Sequence, residues 1–132
     1  MSQTYFNLPW LIFIHSIALT GLGLTMTFSR KPSSSPELRG ATSMLGITTT
    51  TIGLAYISTS YMPTEQNQFL YASVPIRLAI AVLLGTAAVV NRRDMDEKGW
   101  RTHVGFALWD GLGALWLGWH LGRWDGRCPG VV

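Results

Sequence analysis

Four side chains place groups able to do chemistry inside otherwise apolar stretches of this sequence: His15, Arg77, Asp110 and His120. A carboxylate such as Asp110 can give or take a proton, and a guanidinium such as Arg77 can stabilise negative charge developing on an oxygen. A pair of imidazoles on two helices of one bundle, here His15 and His120, is a way of holding b-type haem iron. Tyr56 adds a phenolic hydrogen-bond donor toward a ligand, and Trp109 and Trp116 offer flat apolar surface to a substrate or to packing. Each group also has a plainer use. Arg77 and Asp110 can form a structural salt bridge, or Arg77 can extend to an interface along its aliphatic stem. A buried histidine most simply donates to a backbone carbonyl, and His103 is an interfacial residue. No nucleophile elbow, His-Glu-x-x-His, phosphate loop or dinucleotide fingerprint occurs, which points away from soluble-type cofactor chemistry.

The elements that must position these groups are four apolar stretches, at 8–29, 41–62, 74–90 and 104–121. Each is near the roughly 20 residues a helix needs to cross a bilayer. The first two contain no Asp, Glu, Lys or Arg, the third only Arg77 and the fourth only Asp110. A soluble helix of so small a protein would carry a charged face, yet charged residues make up only 13% of the chain. The expected fold is all-α, a four-transmembrane-helix up-down bundle in one integral membrane domain, with helices at about 8–29, 41–62, 74–91 and 103–122. Short loops favour antiparallel neighbours. The first stretch lacks a basic leader and a small-x-small cleavage site, so it reads as a permanent helix. A lone Cys128 excludes an internal disulfide.

Loop charge predicts orientation. Arg30, Lys31 and Arg39 lie in the first loop, and Arg92, Arg93, Lys98 and Arg101 in the third, whereas the N-terminal tail and second loop hold no Lys or Arg. The positive-inside rule places loops one and three in the cytoplasm and both termini in the lumen, with Arg123 and Arg127 counting mildly against it. The expected location is the endoplasmic reticulum membrane. The net charge of +3 reflects this asymmetry and calls for no nucleic-acid partner. Trp10, Tyr61, Tyr71, Trp100, Trp119 and Trp124 are placed as an interfacial aromatic belt. Pro9 opens the first helix, the turn Lys31-Pro-Ser-Ser-Ser-Pro36 breaks it from the second, Pro63 ends the second, and Pro75 lies in the opening turn of the third. The mixed-charge run at 92–98 reads as solvated surface.

Helical spacing sorts the fourth segment into three faces. His103, Phe106, Asp110, Gly113, Leu117, His120 and Trp124 form a polar face. Ala107, Gly111, Ala114, Gly118 and Gly122 form a small-residue face that lets a helix approach closely. Trp109, Leu112, Trp116 and Trp119 form an aromatic one. The second segment carries a polar-and-small line of Thr42, Gly46, Thr49, Gly53, Tyr56 and Ser60, and the hydroxyls of Thr48 through Thr51 are expected to bond carbonyls one turn back. His15 and His120 both fall in the lumenal half, His15 deeper by roughly 5–8 Å. Arg77 and Asp110 differ in depth by about 10–15 Å, so a direct pair needs the third helix to begin near Phe69.

Three short motifs carry a resemblance: Glu37-Leu-Arg-Gly40 before the Gly/Thr-rich second segment, Pro75-x-Arg77 opening the third, and Trp109-Asp-Gly-Leu-Gly113 in the fourth. In these the chain resembles a family of small four-helix membrane proteins, mostly fungal, that carry a domain of unknown function. It is similar to the membrane proteins of decahydrofluorene (pyrrocidine-type) polyketide–peptide pathways. The resemblance implies one subunit of a hetero-oligomeric membrane complex that catalyses an oxidative cyclisation of a lipophilic natural-product intermediate. Arg39, Arg77 and Asp110 match its polar positions, and His15 and His120 have no assigned counterpart. Two versions of an enzyme follow, a redox one using haem on His15 or His120 and a non-redox one using Asp110 with Arg77. The competing function is a non-catalytic membrane scaffold that stabilises or localises a partner biosynthetic enzyme.

Overall fold

The computed structural model describes residues 7–28 and 36–130, apart from the side chains of Pro36 and Glu37. The expected tail residues 1–6, residues 29–35 with Arg30, Lys31 and most of the turn, and the Glu37 side chain of the family motif therefore lie outside the description. Among the described residues the chain is all-helical, with no strand: α1 (Trp10–Phe28), α2 (Pro36–Ser58), α3 (Gln68–Val90) and α4 (Glu97–Leu121), plus a 3-10 turn at Thr64–Gln66. Two helices, α1 with 19 residues and α3 with 23, are long and apolar enough to cross a membrane. Threonines dilute α2, and α4 opens on Glu97, Lys98 and Arg101.

Three helices start earlier than their apolar stretches. α2 begins at Pro36 rather than near 41 and ends at Ser58, before Pro63. α3 begins at Gln68 rather than near 74, because Asn67 caps it: its side chain accepts from the Leu70 amide at 3.1 Å. Pro75 thus sits inside α3, where it has no N–H to give the Tyr71 carbonyl. α4 begins at Glu97 rather than near 103, capped by Asp96, whose carboxylate accepts from the Gly99 amide at 2.8 Å. It stops at Gly122, which adopts φ 66°. Hydropathy placed the starts of α2 and α4 too late because their first turns carry charged residues, and it placed the start of α3 too late because Pro75 imitates a first-turn proline while Asn67 supplies the cap.

The chain divides into two compact units, Met1–Thr64 and Glu65–Val132. In the first, α1 and α2 pair antiparallel through a seam of glycine and hydroxyl residues. A Cβ at Gly53 would lie 2.7 Å from the Thr20 amide nitrogen and 2.8 Å from the Ser16 carbonyl. One at Gly46 would lie 2.7 Å from the Gly23 carbonyl and from the Thr27 nitrogen, and one at Gly23 would lie 2.6 Å from the Gly46 carbonyl. The backbones therefore touch, which only glycine permits. The hydroxyls facing the seam are satisfied locally: Thr20 donates to the Ser16 carbonyl at 2.8 Å, Thr27 to Gly23 at 2.8 Å and Thr50 to Gly46 at 2.9 Å. Thr48, Thr49 and Thr51 also bond one turn back, as expected for the whole run. Asn7 ties the start of α1 to the end of α2, donating from its amide nitrogen to the Ser60 carbonyl at 2.7 Å and accepting from the Thr64 hydroxyl at 2.7 Å.

In the second unit α3 and α4 pair antiparallel. Leu70, Val74, Arg77, Ala81 and Ala88 recur at spacings of three, four and seven along α3, and all but Ala81 are fully buried. They meet Gly111, Ala114 and Leu117 on α4; Ala81 lies against Gly111. The residues after α4 fold back over the start of α3. Trp124 lies on Gly118, and Gly126 on Pro75. The Gln68 side chain donates to the Gly126 carbonyl at 2.7 Å and accepts from the Cys128 amide at 3.0 Å. Tyr71 is buried here, so it belongs to the core and not to an aromatic belt.

Candidate functional site: a buried ion pair between α3 and α4

Arg77 occupies a seam position on α3 and Asp110 the facing position on α4. Arg77 Nε donates to Asp110 Oδ1 at 3.0 Å, and the two side chains are 6% and 20% exposed. The pair forms because α3 starts at Gln68, which carries Arg77 into the third turn. The room for the guanidinium comes from Gly113, where a Cβ would lie 3.1 Å from Arg77 Cζ and would collide with Nη2. Gly113 follows Asp110 by three residues, so both face α3 together. Arg77 Nη1 is buried and has no hydrogen-bond partner among the described residues. Leaving a buried donor unmatched costs on the order of 1–3 kcal/mol.

The expected polar and small faces of α4 thus merge into one surface toward α3. Asp110, Gly113 and Leu117 come from the first, and Gly111 and Ala114 from the second, while Gly118 meets Trp124. His120 leaves that surface: it is exposed, and its ring stacks on Trp116 with centroids 5.1 Å apart and planes at 11°. Phe106 is also exposed. His103 Nδ1 lies 2.9 Å from the Gly99 carbonyl at the start of α4. Trp109, Leu112 and Trp119 form the exposed aromatic side, with Trp119 at 83%.

His15 belongs to the other unit. It is 5% exposed in the α1–α2 seam, and its ring meets Tyr56 edge-on at 6.1 Å and 86°. Tyr56, on the polar line of α2, is itself buried. The two histidines fit an iron ligand unequally. His15 is buried with its ring edge-on to Tyr56, and a macrocycle at its imidazole would have to open that packing. His120 presents its imidazole outward. Among the described residues, no three His, Cys, Asp or Glu side chains come together to hold a metal ion.

Sequence reasoning named Arg77, Asp110, His15, His120, Tyr56, Trp109 and Trp116. The structure brings together Arg77 with Asp110, His15 with Tyr56, and His120 with Trp116. It missed Gly113 as the seat of the guanidinium and Gln68 as the clamp on the C-terminal segment. The Asp-Gly-Leu-Gly spacing held the signal for the first; a glutamine in a polar turn gave none for the second. The charged run before α4 is an exposed network, with Glu97 bridging Arg92 at 2.9 Å and Arg101 at 2.8 Å while Arg92 lies over Trp100 at 4.9 Å. Such pairs contribute little. No protein-family model, curated protein or solved structure matches the chain.

Proposed function

We propose that this protein spans the bilayer with all four helices and acts as one subunit of a hetero-oligomeric membrane complex that cyclises a lipophilic intermediate. The observation that carries this reading is the ion pair: a buried guanidinium and a carboxylate meet across an apolar helix seam with one donor left over. In that role Asp110 gives or takes a proton and Arg77 stabilises negative charge on a substrate oxygen. Support for four spans comes from the apolar side chains each helix leaves uncovered. They include Ile14 and Ile17 on α1, Met44 and Ile47 on α2, Val82 and Leu83 on α3, and Leu108 and Leu112 on α4. Apolar surface this extensive is covered by lipid or a partner. The loop charges favour cytoplasmic loops one and three and lumenal termini, in the endoplasmic reticulum membrane. The similarity to membrane proteins of decahydrofluorene pathways is what suggests an oxidative cyclisation.

Glycosylation-site mapping tests the topology: acceptor sites near the termini become modified and sites at 92–98 do not. Product formation by Asp110→Asn and Arg77→Lys chains in the native host tests the chemistry. Loss of product with the complex still assembled supports it, and retained product excludes it. In a redox version, His120 is the ligand fitted to a haem shared with a partner subunit, and haem would supply the oxidising chemistry. A Soret band of the purified complex that is lost in His120→Ala distinguishes that version.

A scaffold reading has its own observation, the exposed Trp109, Leu112 and Trp119 side of α4. As a scaffold the chain would use Arg77 and Asp110 only to join α3 to α4. Replacing both by apolar residues would then leave product unchanged.

A further inference from the structure

We infer that the Arg77–Asp110 seam receives one neutral hydrogen-bond acceptor, the carbonyl oxygen of an apolar molecule, at Arg77 Nη1; this deepens, and rests on, the reading of the pair as a substrate site. Three observations lead there. First, Arg77 is 5% exposed and Nη1 lacks a partner, so a donor stands ready inside the seam. A guanidinium only donates, so the missing group is an acceptor. Second, Nε already pairs with the Asp110 carboxylate at 3.0 Å, which balances the charge. A carboxylate or phosphate ligand would set a second negative charge near Asp110 in a medium that screens poorly. A neutral oxygen meets no such repulsion. Third, beyond Asp110 itself and Ser73, whose hydroxyl is spent on the Leu70 carbonyl at 2.7 Å, the side chains flanking Arg77 are aliphatic. Val74 and Ala81 lie a turn to either side of Arg77 on α3, and Ala114 follows Gly113 on α4. A carbonyl on a hydrocarbon frame needs only the one donor that Nη1 offers, and its frame can lie against these aliphatic side chains.

Access is set by the same residues. The Asp110 side is the more open part of the pair, at 20% exposure against 6% for Arg77. Position 113 has no side chain, so the guanidinium lies directly on the α4 backbone. A methyl there would collide with Nη2 and displace the guanidinium. Gly113 is therefore a positioning residue for the donor.

The test uses the full chain in lipid nanodiscs with a long-chain methyl ketone carrying a 13C-labelled carbonyl, read by infrared difference spectroscopy. The expected result is a saturable second carbonyl band at lower wavenumber. Gly113→Ala and Arg77→Gln should weaken its half-saturation by about tenfold or more, the loss of one hydrogen bond to a charged group. Helicity and elution volume confirm folding; if Arg77→Gln fails to fold, Gly113→Ala carries the comparison. Absence of the shifted band in the unaltered protein overturns the inference, and so does an unchanged band in a folded Gly113→Ala chain. Tighter competition by the matched fatty acid than by the unlabelled ketone also overturns it, since the site then takes an anion. Product formation by Asp110→Asn in the native host separates the two claims. Product retained alongside a shifted band ends the catalytic reading but leaves carbonyl binding standing, and product lost without any band does the reverse.

Discussion

Arg77 and Asp110 meet within about 3 Å of the same depth, measured from the same end of an antiparallel helix pair. Arg77 lies nine residues past the α3 start at Gln68, and Asp110 eleven before the α4 end at Leu121, about 14 Å and 17 Å at the helical rise. The pair is therefore a property of helix length as much as of side-chain type. Removing one partner strands the other. Asp110→Ala should destabilise the second unit by about 3–5 kcal/mol, whereas replacing both residues by apolar ones should recover most of that. Graded SDS or thermal denaturation followed by circular dichroism reads the difference. A single-residue loss below about 1 kcal/mol would show that the guanidinium is solvated.

Two glycine-to-alanine substitutions on neighbouring helices should differ in sign. Gly53→Ala sets a methyl 2.7 Å from the Thr20 nitrogen and should cost about 1–3 kcal/mol. Gly21 on α1 has no atom within 4 Å of that position, so Gly21→Ala should be neutral or stabilise by up to about 1 kcal/mol through helix propensity. Equal effects in the same denaturation series would mean that the α1–α2 backbones are not in contact.

How far the sequence disclosed this structure depends on which signal each feature left. Long apolar runs announced four helices and an all-α chain, and the i−4 bonds of the threonine run followed from hydroxyl chemistry alone. The start of α3 was hidden because Pro75 imitates a first-turn proline, while the true signal was the cap at Asn67. With the late start, Arg77 and Asp110 seemed to sit at different depths. On α1 the line Ser16, Thr20, Gly23 and Thr27 was overlooked. Its glycine matters only through what faces it, and one helix's sequence does not reveal its partner's register. The exposure of His120 was illegible for the same reason, since helical spacing sets a face but not which face is covered.

Cys128 should report on the C-terminal segment. Its thiol is buried, and burial pushes its pKa up, so the reactive thiolate is disfavoured. At pH 8 the native thiol should react with a maleimide at least roughly tenfold more slowly than in the denatured chain. Gln68→Ala removes both bonds of the clamp and should raise the rate. A native thiol that labels as fast as the unfolded one would show that this segment does not stay closed.

Asp125 gives the same segment an acid limit. The Arg127 backbone N–H, donating to its carboxylate at 3.2 Å, holds its pKa below the ordinary carboxylate value, with Arg123 assisting at 3.0 Å. A depressed carboxylate contributes fully above the unfolded value of about 3.9 and loses that contribution as pH falls through the lower folded value. Trp124 fluorescence should hold steady from neutral pH to about 4 and change below it, and Asp125→Asn should remove the step. A transition centred near neutrality would implicate a different group.

The glycine contacts between α1 and α2 also restrict how that hairpin can respond to anything that touches it. Turning α1 by one residue, about 100°, would bring Leu22 or Leu24 where Gly23 now meets bare peptide, and sliding it a turn would break the match of Gly23 and Thr27 with Gly46. The joint is keyed: its two rods tip or travel together or come apart, with no intermediate slip available. Any message passed through this half of the chain must be carried as motion of a whole block.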